Sequence, residues 1–222
     1  LSAGDCAQAV NNNDSGGLAV DEQHSGMPAS LGRLITELAR LPGIGPRSAE
    51  RIAFHLLRAE KAEAMALADA IRDMKENLRH CSRCYNLTDS DPCPICRDPG
   101  RDASLIVVVE QPKEVILLEQ TGLLKGHYHV LMGHIAPLER IGPEDLTIDA
   151  LVRRVKAGGV REVLLATNPT MEGDGTALYI QGLLKPLGVT VSRLARGLAV
   201  GSQVEYASRA MLEAAIAGRT PI

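Results

Sequence analysis

Aromatic side chains are nearly missing from this chain: one Phe, four Tyr and no Trp among 222 residues. Any core must therefore be built from Leu, Ile, Val, Ala and Met. No run of apolar residues is long enough to span a bilayer, and no secretory leader is evident. The expectation is a soluble, cytoplasmic protein. A strong excess of one charge is also lacking. The formal net charge of −3 argues against a uniformly basic surface and leaves room for a local basic face. Cysteine is scarce, five residues in all, and outside one short stretch the chain does not read as a disulfide scaffold. A chain of 222 residues can still bury a core in one domain or in several small ones.

What is present is concentrated. Four of the five cysteines form two Cys-x-x-Cys pairs, Cys81/Cys84 and Cys93/Cys96, joined by eight residues. Each pair aims two sulfurs at one point, and two pairs supply the four thiolates of a closed tetrahedral zinc site. The joining residues Asn86, Thr88, Asp89, Ser90, Asp91 and Pro92 are turn formers. Redox Cys-x-x-Cys motifs come singly after a strand, so structural zinc is the better reading. His80 is a competing ligand that a four-cysteine set does not need. A closed site leaves no open position for chemistry, and the knuckle reads as a hinge or brace between a helical module before it and an α/β module after it.

Residues 1–30 lack periodicity and large apolar groups, and are expected to form a disordered N-terminal extension. Cys6 lies there. Leu31, Leu34, Ile35, Leu38 and Leu41 then share one helical face. Pro42-Gly-Ile-Gly-Pro46 stops that helix, and Ile52, Ala53, Leu56 and Leu57 mark a second. Gly43 and Gly45 suit positive φ and close approach to another surface. Amides at the start of the second helix would point outward as an anion site, with Arg47 and Arg51 one turn apart beside them. From Leu31 to Arg58 five arginines face two glutamates. The pattern resembles the helix-hairpin-helix motif, which grips the DNA sugar-phosphate backbone without reading bases. An ordinary αα-hairpin is the alternative. A third helix over 61–79 has Leu67, Ile71, Met74 and Leu78 on one side.

Beyond the knuckle, Leu105–Val109 and Val163–Ala166 read as strands buried on both faces of a parallel sheet. Further strands are predicted near His129–Met132 and Val189–Leu194. Helices are predicted near Val115–Glu119, Asp149–Lys156, Ala177–Leu187 and Val204–Ala217. The architecture is multi-module α plus α/β: a helix-hairpin-helix domain (31–80), a four-cysteine zinc finger (81–96), a Toprim-like, mostly parallel α/β domain (103–199) and a C-terminal helical segment (200–222). Sites in such sheets sit at the carboxyl ends of strands. Glu110, Glu172 and Asp174 are placed there. Together they would suit Mg²⁺; alternatively Asp174 caps a helix and Glu110 is a solvated strand end.

Leu41-Pro-Gly-Ile-Gly-Pro-Arg-Ser-Ala49, the four-cysteine knuckle with Asn86-Leu-Thr-Asp89, Val108-Val-Glu-Gln-Pro112 and Glu172-Gly-Asp-Gly-Thr-Ala-Leu-Tyr-Ile180, in this order, resemble the RecR family of bacterial recombination mediators. The likeness runs from about Leu31 to near the C-terminus. It implies a non-enzymatic DNA-repair protein, a homo-oligomeric ring (dimer or tetramer) that clamps DNA and works at the nucleoid. With RecO or RecF it helps load RecA onto gapped DNA coated by single-strand binding protein. Two departures stand out. Toprim enzymes use a Glu and an Asp-x-Asp pair where this chain has Glu172-Gly-Asp174. Leu198–Tyr206 replaces a segment usually containing Val-Pro-Val-Gly, and Ser208 stands where Asp is frequent. The rival class is a metal-dependent Toprim enzyme, above all a nuclease.

Overall fold

A computed structural model describes residues 26–219, in two units that divide after Met74. The first unit holds α1 (Ala29–Ala39), α2 (Pro46–Arg58) and most of α3 (Lys61–Asn77). Ile35 of α1 is buried against Ala49 and Ala53 of α2, with Leu31, Leu38 and Ile44 packed around them. The two alanines let the helices approach closely, and the contact fixes the hairpin between them. The predicted apolar stripe of α3 is real but uncovered: the helix buries no side chain, and Leu67, Ile71, Met74 and Leu78 are all exposed. The expected extension over 1–30 overlaps α1 by two residues; its part before residue 26, with Cys6, lies outside the described residues.

The second unit is built on a four-stranded parallel sheet of order β4-β3-β5-β6. Its strands are β3 (Asp102–Val109), β4 (Gly126–Val130), β5 (Glu162–Leu165) and β6 (Thr190–Arg193). Alternation along β3 divides two cores, because successive strand side chains point to opposite faces. Ile106 and Val108 join Leu151 and Val155 of α6 (Ile148–Lys156) and Ile180 and Leu184 of α7 (Met171–Leu184). Val107 and Val109 join Val115 of α5 (Pro112–Gln120), Tyr128 and Val130 on the other face.

The zinc knuckle completes this second face. It consists of a small antiparallel pair, β1 (Arg79–His80) with β2 (Leu87–Thr88), and one turn of helix, α4 (Pro94–Arg97). Tyr85 and Ile95 pack into the second core, and the Val130 N–H donates to the Cys84 carbonyl at 2.8 Å. The knuckle is therefore part of the α/β unit and not the free-standing hinge its position in the sequence suggests. The knuckle thus lies as a lid over this face, beside α5.

Several element boundaries differ from expectation. The strand predicted at 129–132 begins three residues earlier, at Gly126, and ends at Val130. The helix predicted to begin at Ala177 starts at Met171, because Thr170 caps it: its hydroxyl accepts the Gly173 N–H at 3.0 Å. Glu172 and Asp174 are consequently first-turn helix residues and not loop residues. After β6 the helix predicted over Val204–Ala217 is divided: Val204–Tyr206 makes one 3-10 turn, and α8 spans Arg209–Ala217. Ser208 caps α8 by accepting the Met211 N–H, a task Asp would perform equally well.

Candidate metal centre, nucleic-acid interface and carboxylate crevice

All four knuckle sulfurs are buried, and they lie within 4.8 Å of one another. Cys84 Sγ and Cys93 Sγ are 3.5 Å apart; a tetrahedron with zinc–sulfur bonds near 2.3 Å has edges of about 3.8 Å. Main-chain N–H groups already point at the sulfurs, Cys93 to Cys81 at 3.3 Å and Cys96 to Cys93 at 3.4 Å. Tyr85, directly after the first pair, takes a left-handed φ of +63°. That turn aims its ring edge-on at His129, with centroids 5.5 Å apart. The thiols themselves want a cation. A hydrogen bond with Cys96, together with burial, pushes the Cys84 thiol far up, and burial pushes Cys93 up to about 11. Cys81 moves down: desolvation opposes the shift, but the amides of Cys93, Arg83 and Cys84 outweigh it. Size, burial and donor set fit a structural zinc ion, held by Cys81, Cys84, Cys93 and Cys96. His80 is turned away from this role; its Nδ1 lies 3.1 Å from the Tyr85 carbonyl.

In the first unit Gly43 takes φ +78°, which a side chain would strain. Gly45 does not need that freedom. It is extended at φ −84°, with open space where a Cβ would stand, and it precedes Pro46 at the first helical position. No side chain caps α2. Pro46 has no N–H and the Ala49 N–H donates to the Gly45 carbonyl, so the amides of Arg47 and Ser48 are the ones left without a partner, beside the exposed Arg47 and Arg51 side chains, which form no ion pair among the described residues. Uncapped helix amides with two unpaired guanidiniums suit a phosphate group.

Glu110, Glu172 and Asp174 all lie at the carboxyl rim of the sheet, but each has a different environment. Glu110 is 2 % exposed. It accepts from the Asn168 main-chain N–H at 2.7 Å, from Asn168 Nδ2 at 2.8 Å and from His134 Nδ1 at 3.1 Å. These bonds join the ends of β3 and β5, adjacent strands whose connections leave in opposite directions, the usual ligand crevice of an open α/β sheet. Glu114 seals the turn by accepting from the N–H groups of Glu110 and Gln111. Gly173 is wedged below: a Cβ there would stand 2.1 Å from the Asn168 carbonyl oxygen and 2.8 Å from Glu110 Oε1. Asp174 is clasped by Arg196 through both oxygens, and that guanidinium holds its carboxyl below the ordinary range. Glu172 is exposed.

The three carboxylates therefore do not gather at one ion. Among the described residues, only the four cysteines form a group of three or more potential ligands within 4.8 Å. Asn168, His134 and Arg196 are the members of this crevice that sequence reasoning missed. Asn168 stands two residues past a predicted strand, a weak signal; Arg196 gave none.

Comparison with known proteins agrees with these three parts in order. Residues 31–75 match the family model described as RecR, helix-hairpin-helix; residues 78–98 match that of the RecR four-cysteine zinc finger domain; and residues 104–195 match the Toprim domain. The chain is 51 % identical over 195 residues to the recombination protein RecR of Rhodopirellula baltica, covering 88 % of this chain and 98 % of that one. It is 54 % identical over 189 residues to that of Pelotomaculum thermopropionicum, covering 85 % and 94 % respectively. With that of Chloroflexus aggregans it shares 52 % over 202 residues, 91 % of this chain and 98 % of the relative. A helix-hairpin-helix, a four-cysteine zinc finger and a Toprim domain thus follow one another in this chain, and the chain belongs to the RecR family.

Proposed function

We propose that this protein is a DNA-binding recombination mediator acting in recombinational repair, without catalytic turnover of its own. The observation that carries the DNA contact is the uncapped start of α2 beside the unpaired Arg47 and Arg51. Gly43 and Gly45 keep that surface bare. The contact is to phosphates and independent of sequence. One hairpin reaches few phosphates, so useful affinity comes from several copies held together. A homo-oligomeric ring, a dimer or tetramer, is the arrangement proposed. The apolar groove of about 390 Å³ in the first unit, lined by Leu34, Leu38, Leu57, Leu67 and Ile71, supports it.

The carboxylate rim around Glu110, Glu172 and Asp174 is the proposed contact for RecO or RecF, through which RecA is loaded on gapped DNA coated by single-strand binding protein. Glu172, exposed and without an ion-pair partner among the described residues, is the member placed to meet a basic partner. Action at the cytoplasmic nucleoid follows from this role.

The test is fluorescence anisotropy with two unrelated duplexes over a salt series. Arg47→Glu with Arg51→Glu is expected to abolish binding to both while zinc content stays unchanged. Each phosphate that is no longer neutralised flattens the logarithmic salt slope by about 0.9. A double variant with wild-type affinity and slope would make the hairpin a mere turn. Glu172→Ala is expected to weaken RecO binding and leave bare-DNA affinity unchanged. Strand cleavage by wild type that Glu172→Ala removes would place the protein among Toprim nucleases instead.

A further inference from the structure

A strand-end crevice with carboxylates is where a hard divalent cation is ordinarily sought, since Mg²⁺ takes oxygen ligands and keeps several waters. Here the oxygens are already engaged. Glu110 is buried and satisfied by Asn168 and His134. Asp174 has both oxygens on the Arg196 fork, and Arg193 Nη1 is 3.9 Å from Oδ1. A planar guanidinium matched to a carboxylate is the strongest side-chain pairing available, and its charge is permanent. Of the three, Glu172 alone is unpaired among the described residues, and a single carboxylate competes poorly with water for Mg²⁺.

The clasp is more than a surface ion pair, which alone would count for little. The Arg196 and Asp174 side chains are 28 % and 37 % exposed, and both line a small crevice with Leu165, Thr167, Pro169 and Ala177. The next residue, Gly197, lies 3.6 Å from Ala215 of α8 at the position a Cβ would take. The pair therefore ties the first turn of α7 to the segment against which α8 packs. A divalent ion on Asp174 would have to displace Arg196, strand its charge and loosen that segment together.

We infer that Arg196 is the resident cation of this crevice, standing on Asp174 where a divalent ion would otherwise neutralise it. The crevice is then metal-free in the working protein, whether or not it also receives a partner.

The experiment is Mn²⁺ binding by electron paramagnetic resonance on the full, zinc-loaded chain, with zinc content as the check on folding. Up to about 1 mM free ion, the range of weak oxygen-ligand sites, wild type is expected to bind no more Mn²⁺ than Asp174→Asn. Arg196→Gln is expected to gain a site at least about tenfold tighter, a change of about 1.4 kcal/mol, that is lost again when combined with Asp174→Asn. Arg196→Lys, which keeps the charge and loses the fork, should exclude Mn²⁺ as wild type does. Three results overturn the assignment: wild-type binding that Asp174→Asn removes, zinc-replete Arg196→Gln that binds no more than wild type, or Arg196→Lys that admits metal as Arg196→Gln does.

Discussion

His129 illustrates how much one buried side chain decides. It is fully buried on β4, its Nε2–H donates to the Thr147 carbonyl at 3.0 Å, and its Nδ1 finds no partner among the described residues. Burial lowers its pKa from 6.5 to about 4. The folded state therefore holds it neutral where the unfolded chain would take a proton. Above pH 6.5 this group leaves stability unaffected. As pH falls from 6.5 towards 4 the unfolded state gains, and up to about 3 kcal/mol is lost. His129→Gln, which keeps the donor to Thr147 and cannot titrate, is expected to flatten this part of the pH profile in urea unfolding. An unchanged slope would mean the imidazole is protonated in the fold. Gly173 offers a contest of magnitudes at the same scale. Alanine is preferred to glycine in a helix by about 1 kcal/mol. A methyl group 2.1 Å from the Asn168 carbonyl oxygen meets a backbone atom that cannot turn aside, and overpacking costs typically about 1–3 kcal/mol or more. Gly173→Ala is expected to lower the melting temperature, with the wedge beneath Glu110 outweighing helix propensity.

Among the elements, legibility followed locality. The apolar run 105–109 and the pattern of 163–166 announced β3 and β5, because burial on both faces leaves nothing but aliphatic residues. The two Cys-x-x-Cys pairs announced the knuckle. What could not be read was where the knuckle docks, since Tyr85 and Ile95 look like knuckle residues until a sheet is placed under them. The early start of α7 was hidden by Gly173 and Gly175, poor helix formers that a cap and a tight contact tolerate. The crevice was half legible: Glu110 follows its strand visibly, but Arg196 reaches Asp174 across 22 residues, and no local spacing encodes that. Docking of the knuckle gives it a testable consequence. Apparent zinc-binding energies of roughly 10–16 kcal/mol match or exceed the stability of a typical domain. Cys84→Ser or chelation should therefore unpack the second sheet face along with the knuckle. Near-ultraviolet circular dichroism reports this directly, because Tyr85 and Tyr128 both belong to that core and no Trp obscures them. Loss of zinc with an intact tyrosine signal would show the face standing without its lid.

On the scale of the whole molecule, a net charge of −3 coexists with a local arginine-rich hairpin, so the proposed attraction to DNA belongs to one surface and not to the chain. The same economy applies to apolar surface. The α/β unit closes two cores around its sheet, while the hairpin unit keeps only Ile35, Ala49 and Ala53 fully inside among the described residues. α3 runs 17 residues without burying a side chain. Isolated helices near that length are marginal in water, and α3 meets α1 and α2 only along an open groove, so the proposed ring would supply the contacts that hold it. Mass action then enters the folding equilibrium. Dilution should melt this helix first, and the apparent melting temperature should climb with protein concentration as more chains find company. Differential scanning calorimetry across a hundredfold concentration range, about 2.7 kcal/mol in associating free energy, would show a moving low-temperature shoulder. If the proposed ring forms, the number of copies in the cell sets how much of each copy is folded.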